Sequence, residues 1–306
     1  MKARAHSVKQ RWIILRRVWY SPYREEHSVK QQKPLTTREV QLLELEILKA
    51  FDAFANKHSI PYHLAYGTLL GAVRHKGFIP WDDDIDVLVP RPEYERLLDL
   101  LEREGLGKRF TVASPRNRSK NHPYPYAKLL LNDTVVHEPK LDSKFSKSSI
   151  WIDIFPLDGL PNAKACRAMT FFWALALKNL LYTAIVSSKH VSGIQKLAVL
   201  LLGPITRMVG IGRWVDWTER FATRHSYDEA KLVGNLVLTE GRKETIEKEI
   251  ASQTITLEFE GHPFPAPKHY DEYLTQLYGS YMELPPVEQR TTHLGNQVFL
   301  MGDHHE

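Results

Sequence analysis

Asp82, Asp83, Asp84 and Asp86 crowd together just ahead of the apolar run Val87-Leu88-Val89. Like charges this close repel, so the cluster is costly unless a cation compensates it. The chemistry it suits is divalent-metal binding. Side chains two apart on a strand share a face, so Asp84 and Asp86 project together while Ile85 and Val87 turn the other way. A carboxylate pair at that spacing suits Mg²⁺, with Mn²⁺ as the alternative, because such cations take oxygen ligands and keep substrate phosphate oxygens in their shell. Asp82 and Asp83 lie in the preceding loop, beside the same pocket. With Glu93, this spacing also matches the acidic positions of a calcium loop. That reading fails on Val87, which stands where the loop needs glycine, and on Pro90 and Pro92, which break the following helix.

The complementary half lies upstream. Gly67 allows close approach of backbone to a ligand, and Thr68 is a good N-cap for a helix over Leu69 to His75. The start of such a helix offers free N–H groups and a positive dipole end, which suits phosphate. Arg74, near the helix end, adds a possible bidentate phosphate contact. A Gly-Thr helix start followed about sixteen residues later by Asp-Ile-Asp on a strand has the logic of metal-dependent transfer from a nucleotide.

The elements that position these groups follow from periodicity. Thr36 and Glu39 form a capping box, with Leu35 and Val40 as a hydrophobic staple. Val40, Leu43, Ile47, Phe51 and Phe54 make one apolar helical stripe that ends near Lys57 to Ser59. Tyr62 to Tyr66 reads as a short strand and Ile85 to Val89 as a buried one, ended by Pro90 and Pro92. Tyr94 to Glu104 is an amphipathic helix closed by Gly105. Ala127 to Val136 can supply a hairpin arm. Ile150 to Phe155 is a strong strand, stopped by Pro156 and an Asp158-Gly159 turn. It carries Asp153 among apolar residues, where a carboxylate is costly without a partner.

Composition then shifts. Asn162 to about Asp216 is apolar, basic and helical in spacing, which fits either a helical subdomain or a face that meets membrane. Residues 217–250 read as helical and charged, Thr254 to Phe259 as an edge strand, and Tyr270 to Tyr278 as a final helix. The division expected is a basic, aromatic arm at 1–34, a catalytic core at 35–161, a helical insertion at 162–250 and a core-completing segment at 251–306. The arm is read either as a loosely docked tail or as an amphipathic segment on anionic lipid.

Of 306 residues, 43% are apolar, enough for a sizeable core. A net charge of +5, mild and dispersed, argues against a dedicated nucleic-acid binder. Cys166 is the lone cysteine, so no internal disulfide forms and a reducing cytoplasm is the expected compartment. No uncharged apolar run reaches the roughly 18 residues of a membrane span.

The stretch Gly67-Thr68-Leu69-Leu70-Gly71-Ala72-Val73-Arg74-His75, continuing through Gly77-Phe78-Ile79-Pro80-Trp81 to Asp82-Asp83-Asp84-Ile85-Asp86-Val87, resembles the signature of the LicD family. That family has the nucleotidyltransferase fold and includes the fukutin-type enzymes. The resemblance extends to Ala127-Lys128-Leu129 with Thr134, to Ile152 through Gly159, and to Tyr278-Gly279 with Pro285-Pro286, Arg290 and His293. It implies a mixed α/β fold: a nucleotidyltransferase-like core sheet flanked by helices, with a helical insertion. It implies transfer of a phospho-substituent, such as phosphocholine or a polyol phosphate, from a CDP-linked donor to a hydroxyl of a cell-surface glycan or its lipid-linked precursor. Peripheral contact with the inner face of the membrane is a further expectation. Asp84 and Asp86 fall on the family's metal pair, Gly67 and Thr68 on its phosphate turn, and Asp153 on its third carboxylate, as metal ligand or general base. Lys128 is read as either a phosphate or cytidine contact or a solvated lysine, and Asp158 as turn chemistry rather than a ligand. His75 and Lys76 are placed at the pocket rim and Asp83 at the metal or the base of the substrate pocket, with Arg290 and His293 read either as groups that close over substrate or as structural residues. Two alternatives stay open: nucleotidyl transfer to a small acceptor, and a catalytically silent partner in glycan synthesis.

Overall fold

The computed structural model describes residues 33–117, 122–290, 292 and 297–301. The expected arm, apart from its last two residues, and His293 lie outside the described residues. Helix α1 (Thr37–Lys57) begins at the capping box: Glu39 N–H donates to Thr36 Oγ1, and Thr36 N–H donates to the Glu39 carboxylate. Its stripe of Val40, Ile47, Phe51 and Phe54 is buried in the main core. So, less expectedly, are Gln41 and Glu44.

The chain continues as β1 (His63–Leu64), α2 (Tyr66–His75), β2 (Asp86–Pro90), α3 (Arg91–Glu104), β3 (Phe110–Ala113), β4 (Ala127–Leu131), β5 (Thr134–His137), β6 (Lys147–Ser148) and β7 (Trp151–Leu160). The central sheet has the order β1-β2-β7-β4-β3. β2 and β7 run parallel, while β1–β2, β7–β4 and β4–β3 are antiparallel. The fold is mixed α/β.

Four local expectations are corrected. The Tyr62 to Tyr66 strand shrinks to two residues, because α2 begins at Tyr66. Pro92 does not delay α3 to Tyr94: it occupies the first turn, where a missing N–H has no cost. β4 and β5 do not pair as a hairpin; β4 lies between β3 and β7, while β5 joins β6 and β12 (Val298–Leu300) in a separate sheet. β7 does not stop at Pro156. The strand pairs Pro156 with Val89 and runs on to Leu160, where β8 (Leu232–Gly234) replaces β2 as its partner. Asp158 is therefore no turn residue. It is buried inside β7, and Arg91 Nε donates to its Oδ1 at 2.6 Å. Pairing with β2 and then with β8, and a buried counter-ion, override the local turn signal.

Helices α4 (Lys164–Ile185), α5 (Gly193–Val209) and α6 (Ile211–Ala222) share a small core of their own around Leu181, Val186, Val199 and Trp214. α4 has the length and apolarity of a membrane-spanning helix although Arg167 and Lys178 interrupt it; 39% of its apolar window is buried within the protein. Helical character was expected through residue 250 but ends at Ala222. The chain instead returns to the sheet as β8 and β9 (Ile246–Glu247), then forms the short α7 (Lys248–Ser252). Leu232 and Val233 complete the far half of β7, and that pairing outweighs charged helix propensity. The β10 (Thr254–Phe259) and β11 (His262–Pro267) hairpin and α8 (Tyr270–Tyr278) follow.

Candidate active site

The central sheet aligns three charged residues in one row. Asp86 on β2 stands opposite Asp153 on β7, and Asp153 stands opposite Lys128 on β4. Residues in register on neighbouring strands project to the same face. Asp82, Asp84, Asp86 and Asp153 line one cavity of about 530 Å³, whose other walls include Tyr66, Lys178, Lys243, Glu244 and Tyr278. Asp86 N–H donates to Thr68 Oγ1 at 2.8 Å, and Asp153 N–H donates to the Ile85 carbonyl at 2.8 Å, so both backbones are tied down. Burial pushes the Asp86 carboxyl well above the usual range. Asp84, Asp153 and Asp82 push it further, against Lys128. This mutual repulsion is what a divalent cation would relieve.

Lys128 is not a solvated lysine, and it does not line the cavity. Its Nζ sits 3.3 Å from Asp153 Oδ1 and lies over the Trp151 and Tyr124 rings, 3.6 and 4.5 Å from their centroids. Cation–π contacts and the carboxylate together allow this ammonium to be buried. It holds and orients Asp153.

Helix α2 packs beside this row. Gly67 lets the aspartates come close: a Cβ would stand 2.7 Å from Asp82 Oδ2 and 3.9 Å from Asp84 Oδ1, so a larger residue fits only if the Asp82 carboxylate moves. Thr68 lies inside the first turn rather than capping it, since α2 begins two residues earlier and its N-cap position is Ala65. The Thr68 hydroxyl instead clamps the start of β2. Tyr66 opens the helix at φ 45°, a left-handed value uncommon for a bulky residue. Two contacts hold it there: Tyr66 Oη donates to Glu244 Oε2 at 2.9 Å, and Asn235 Nδ2 donates to Tyr66 Oη at 3.0 Å.

Arg74 does not reach the aspartates. Its guanidinium donates to the Tyr281 carbonyl at 2.7 Å and lines an adjoining groove of about 480 Å³ with Trp81, Tyr278 and Pro285. His75 meets Trp81 edge-on, and Arg290 stacks on the same ring, 4.8 Å from its centroid. Leu70, Ile79 and Tyr278 line both spaces, so the groove and the acidic cavity adjoin. Asp83 is buried and lines neither.

Several residues of the site carry no local signal. Glu44 is buried on α1, its carboxyl raised by burial and then by Asp84, Asp83 and Asp82. Gln41 Nε2 donates to the Asp82 carbonyl at 2.8 Å and anchors the acidic loop. In the sequence both look like exposed helix positions; only their place beside the Val40–Ile47 stripe hints otherwise. Glu244 is held near pH 7 by burial, opposed by its Tyr66 hydrogen bond. Lys178 and Lys243 bring positive charge to a cavity whose other charged lining residues are acids. All three reach it from elements more than 90 residues after the aspartate loop.

The donor set fits a hard cation: aspartates share one cavity, and one is destabilised by its neighbours. Among the described residues, however, no three His, Cys, Asp or Glu side chains are gathered into a ready ligand set. Asp84, Asp86 and Asp153 therefore do not form a preassembled triad. Mg²⁺ commonly uses one or two carboxylates and completes its shell with water and phosphate oxygens.

A mixed α/β core thus presents several aspartates to one cavity that two lysines also line. The family described as LicD/FKTN/FKRP, nucleotidyltransferase domain, matches residues 59–157, from β1 to β7. The lipopolysaccharide cholinephosphotransferase LicD of Haemophilus influenzae is 32% identical over 286 residues, covering 88% of this chain and 100% of that protein. An uncharacterized protein of Rickettsia prowazekii is 30% identical over 145 residues, 47% of this chain and 50% of its own length. The chain belongs to the LicD family, and it is an enzyme of the phosphotransferase type.

Proposed function

We propose that this enzyme moves a phospho-substituent from a CDP-linked donor to a hydroxyl of a cell-surface glycan or its lipid-linked precursor, with Mg²⁺ as cofactor and Mn²⁺ as a substitute. Phosphocholine is the favoured substituent and lipopolysaccharide the favoured acceptor, because the full-length relative is a lipopolysaccharide cholinephosphotransferase. The observation that carries the reading is the shared cavity of Asp82, Asp84, Asp86 and Asp153, with Asp86 and Asp153 in direct register. Asp84 and Asp86 would hold the cation, which supplies charge neutralisation at the donor phosphates. Lys178 and Lys243 contribute further positive charge to the same walls. Asp153, oriented by Lys128, accepts the proton of the acceptor hydroxyl. The hydroxyl oxygen forms a new bond to the phosphorus that carries the substituent. The bond from that phosphorus to the CMP oxygen breaks, and CMP leaves with the electron pair. A cytoplasmic location is part of this proposal, supported by a chain whose lone cysteine, Cys166, can form no internal disulfide.

The test is incubation with CDP-choline, CDP-ribitol, CDP-glycerol and CTP, each with Mg²⁺ and a lipopolysaccharide acceptor. Release of CMP from CDP-choline, dependent on acceptor, is expected. Release of pyrophosphate from CTP instead would replace this reading with nucleotidyl transfer.

A further inference from the structure

Helix α5 is amphipathic the wrong way round for a soluble subdomain. Its buried face is small and polar, made of Val199, Gly203 and Thr206. Gly203 lets α4 approach closely: a Cβ there would stand 3.3 Å from the Thr183 carbonyl oxygen. The Thr183 and Thr206 hydroxyls meet at 3.1 Å, and Trp214 Nε1 donates to the Thr206 carbonyl at 2.9 Å. The opposite face carries the large apolar side chains Ile194, Leu197, Leu201, Ile205 and Met208, at helical spacing and open to solvent. Ile194 is 87% exposed and Met208 81%. On α4, which packs against α5, Met169, Phe172 and Trp173 are exposed as well. Large apolar side chains left open to solvent on two packed helices mark an interaction surface.

Charge identifies what it meets. From Gly159 to Val215 the chain contains no Asp or Glu, while Lys164, Arg167, Lys189, Lys196, Arg207 and Arg213 are spread through it. An apolar helix face on a stretch of chain that is basic and free of acids matches an anionic lipid surface, where apolar side chains enter the acyl boundary and cations stay among the headgroups. We propose that the α4–α5 face docks this protein peripherally on an anionic membrane. Docking there has a consequence for catalysis, because α4 also carries Lys178 into the acidic cavity. One helix then spans from lipid to active site, which suits an acceptor carried on a lipid. The inference does not depend on which donor is used, since binding is measured without substrate.

The experiment is co-sedimentation of the full chain with phosphatidylcholine vesicles, with and without about one third phosphatidylglycerol. The comparison protein is the Leu197→Gln/Leu201→Gln/Ile205→Gln variant, altered only at exposed positions. Wild type should bind the anionic vesicles, more weakly at high salt, and the variant should bind at least ~10-fold less. Its thermal unfolding midpoint and its turnover with a soluble acceptor should match wild type. Absence of wild-type binding overturns the proposal, as does equal binding by the variant, which would assign any membrane contact elsewhere. A wild-type dimer in analytical ultracentrifugation that the three substitutions dissociate would assign the face to a second copy and overturn it too.

Discussion

Replacing Gly67 with alanine separates the site from the fold. The added methyl would stand 2.7 Å from Asp82 Oδ2, and ordinary contact requires about 3.5 Å. One side must therefore yield by roughly 0.8 Å. The yielding atom is the end of an aspartate side chain, so the backbone of α2 need not move. Gly67 lies in the first turn of α2, where alanine is accepted as readily as glycine, so helix propensity adds no cost. Stability should thus stay within about 1 kcal/mol of wild type. Activity should not. Asp82 lines the cavity beside Asp84 and Asp86, and a misplacement of this order in a catalytic constellation costs on the order of 10²-fold. Gly71→Ala is the control. A Cβ at Gly71 would press on the backbone carbonyl of Gly77 and crowd the Ile79 amide at 3.3 Å, neither of which is a flexible side-chain end. That variant should lose about 1–3 kcal/mol of stability as over-packing. The assay pairs thermal or urea unfolding with turnover of the donor under saturating Mg²⁺. A Gly67→Ala enzyme within about threefold of wild-type turnover would refute the close-approach argument, whatever its stability.

Asp84→Asn and Asp86→Asn should each lower turnover by more than about 10²-fold while leaving unfolding unchanged or slightly improved, because a repelling charge is removed; near-normal rates at saturating donor and Mg²⁺ would contradict the metal-pair assignment. Asp153→Asn should slow a single turnover by about 10²–10⁴-fold with donor affinity by calorimetry near wild type. It should also cost about 1–3 kcal/mol of stability, since Lys128 loses its buried carboxylate; an unchanged rate would make Asp153 purely structural. Glu244 has its carboxyl raised in the fold to about 7 from an ordinary 4.5, so it binds more protons folded than unfolded. Its stabilising contribution is present below about pH 4.5 and is lost as pH rises through about 7. Glu244→Gln should therefore gain stability relative to wild type across that interval in urea titrations at several pH values; a pH-independent difference would show that Glu244 is not so perturbed.

Much of the site was legible because its chemistry is local. The aspartates lie within five positions, and Asp84 and Asp86 do line one cavity; β2 begins only at Asp86, however, so Asp84 reaches it from the loop and not by the strand alternation expected. The capping box at Thr36, the final helix at Tyr270 and the α/β character follow from patterns that short-range backbone physics enforces. What depended on distant partners was not legible. Thr68 was expected to cap a helix, but β2 arrives eighteen residues later and takes its hydroxyl. Arg74 was expected at phosphate, but backbone carbonyls some two hundred residues on claim its guanidinium. Asp158 sits in a turn-like Asp-Gly pair, yet Arg91 and the β8 strand make it the buried interior of β7. Glu44, Lys178 and Glu244 have ordinary local sequence, and only packing brings them to the aspartates. The outward apolar face of α5 is the same kind of case: periodicity shows that the helix has two faces, but the side that turns to α4 is decided by Gly203, Thr206 and Thr183, where close approach and paired hydroxyls outweigh burial of leucine.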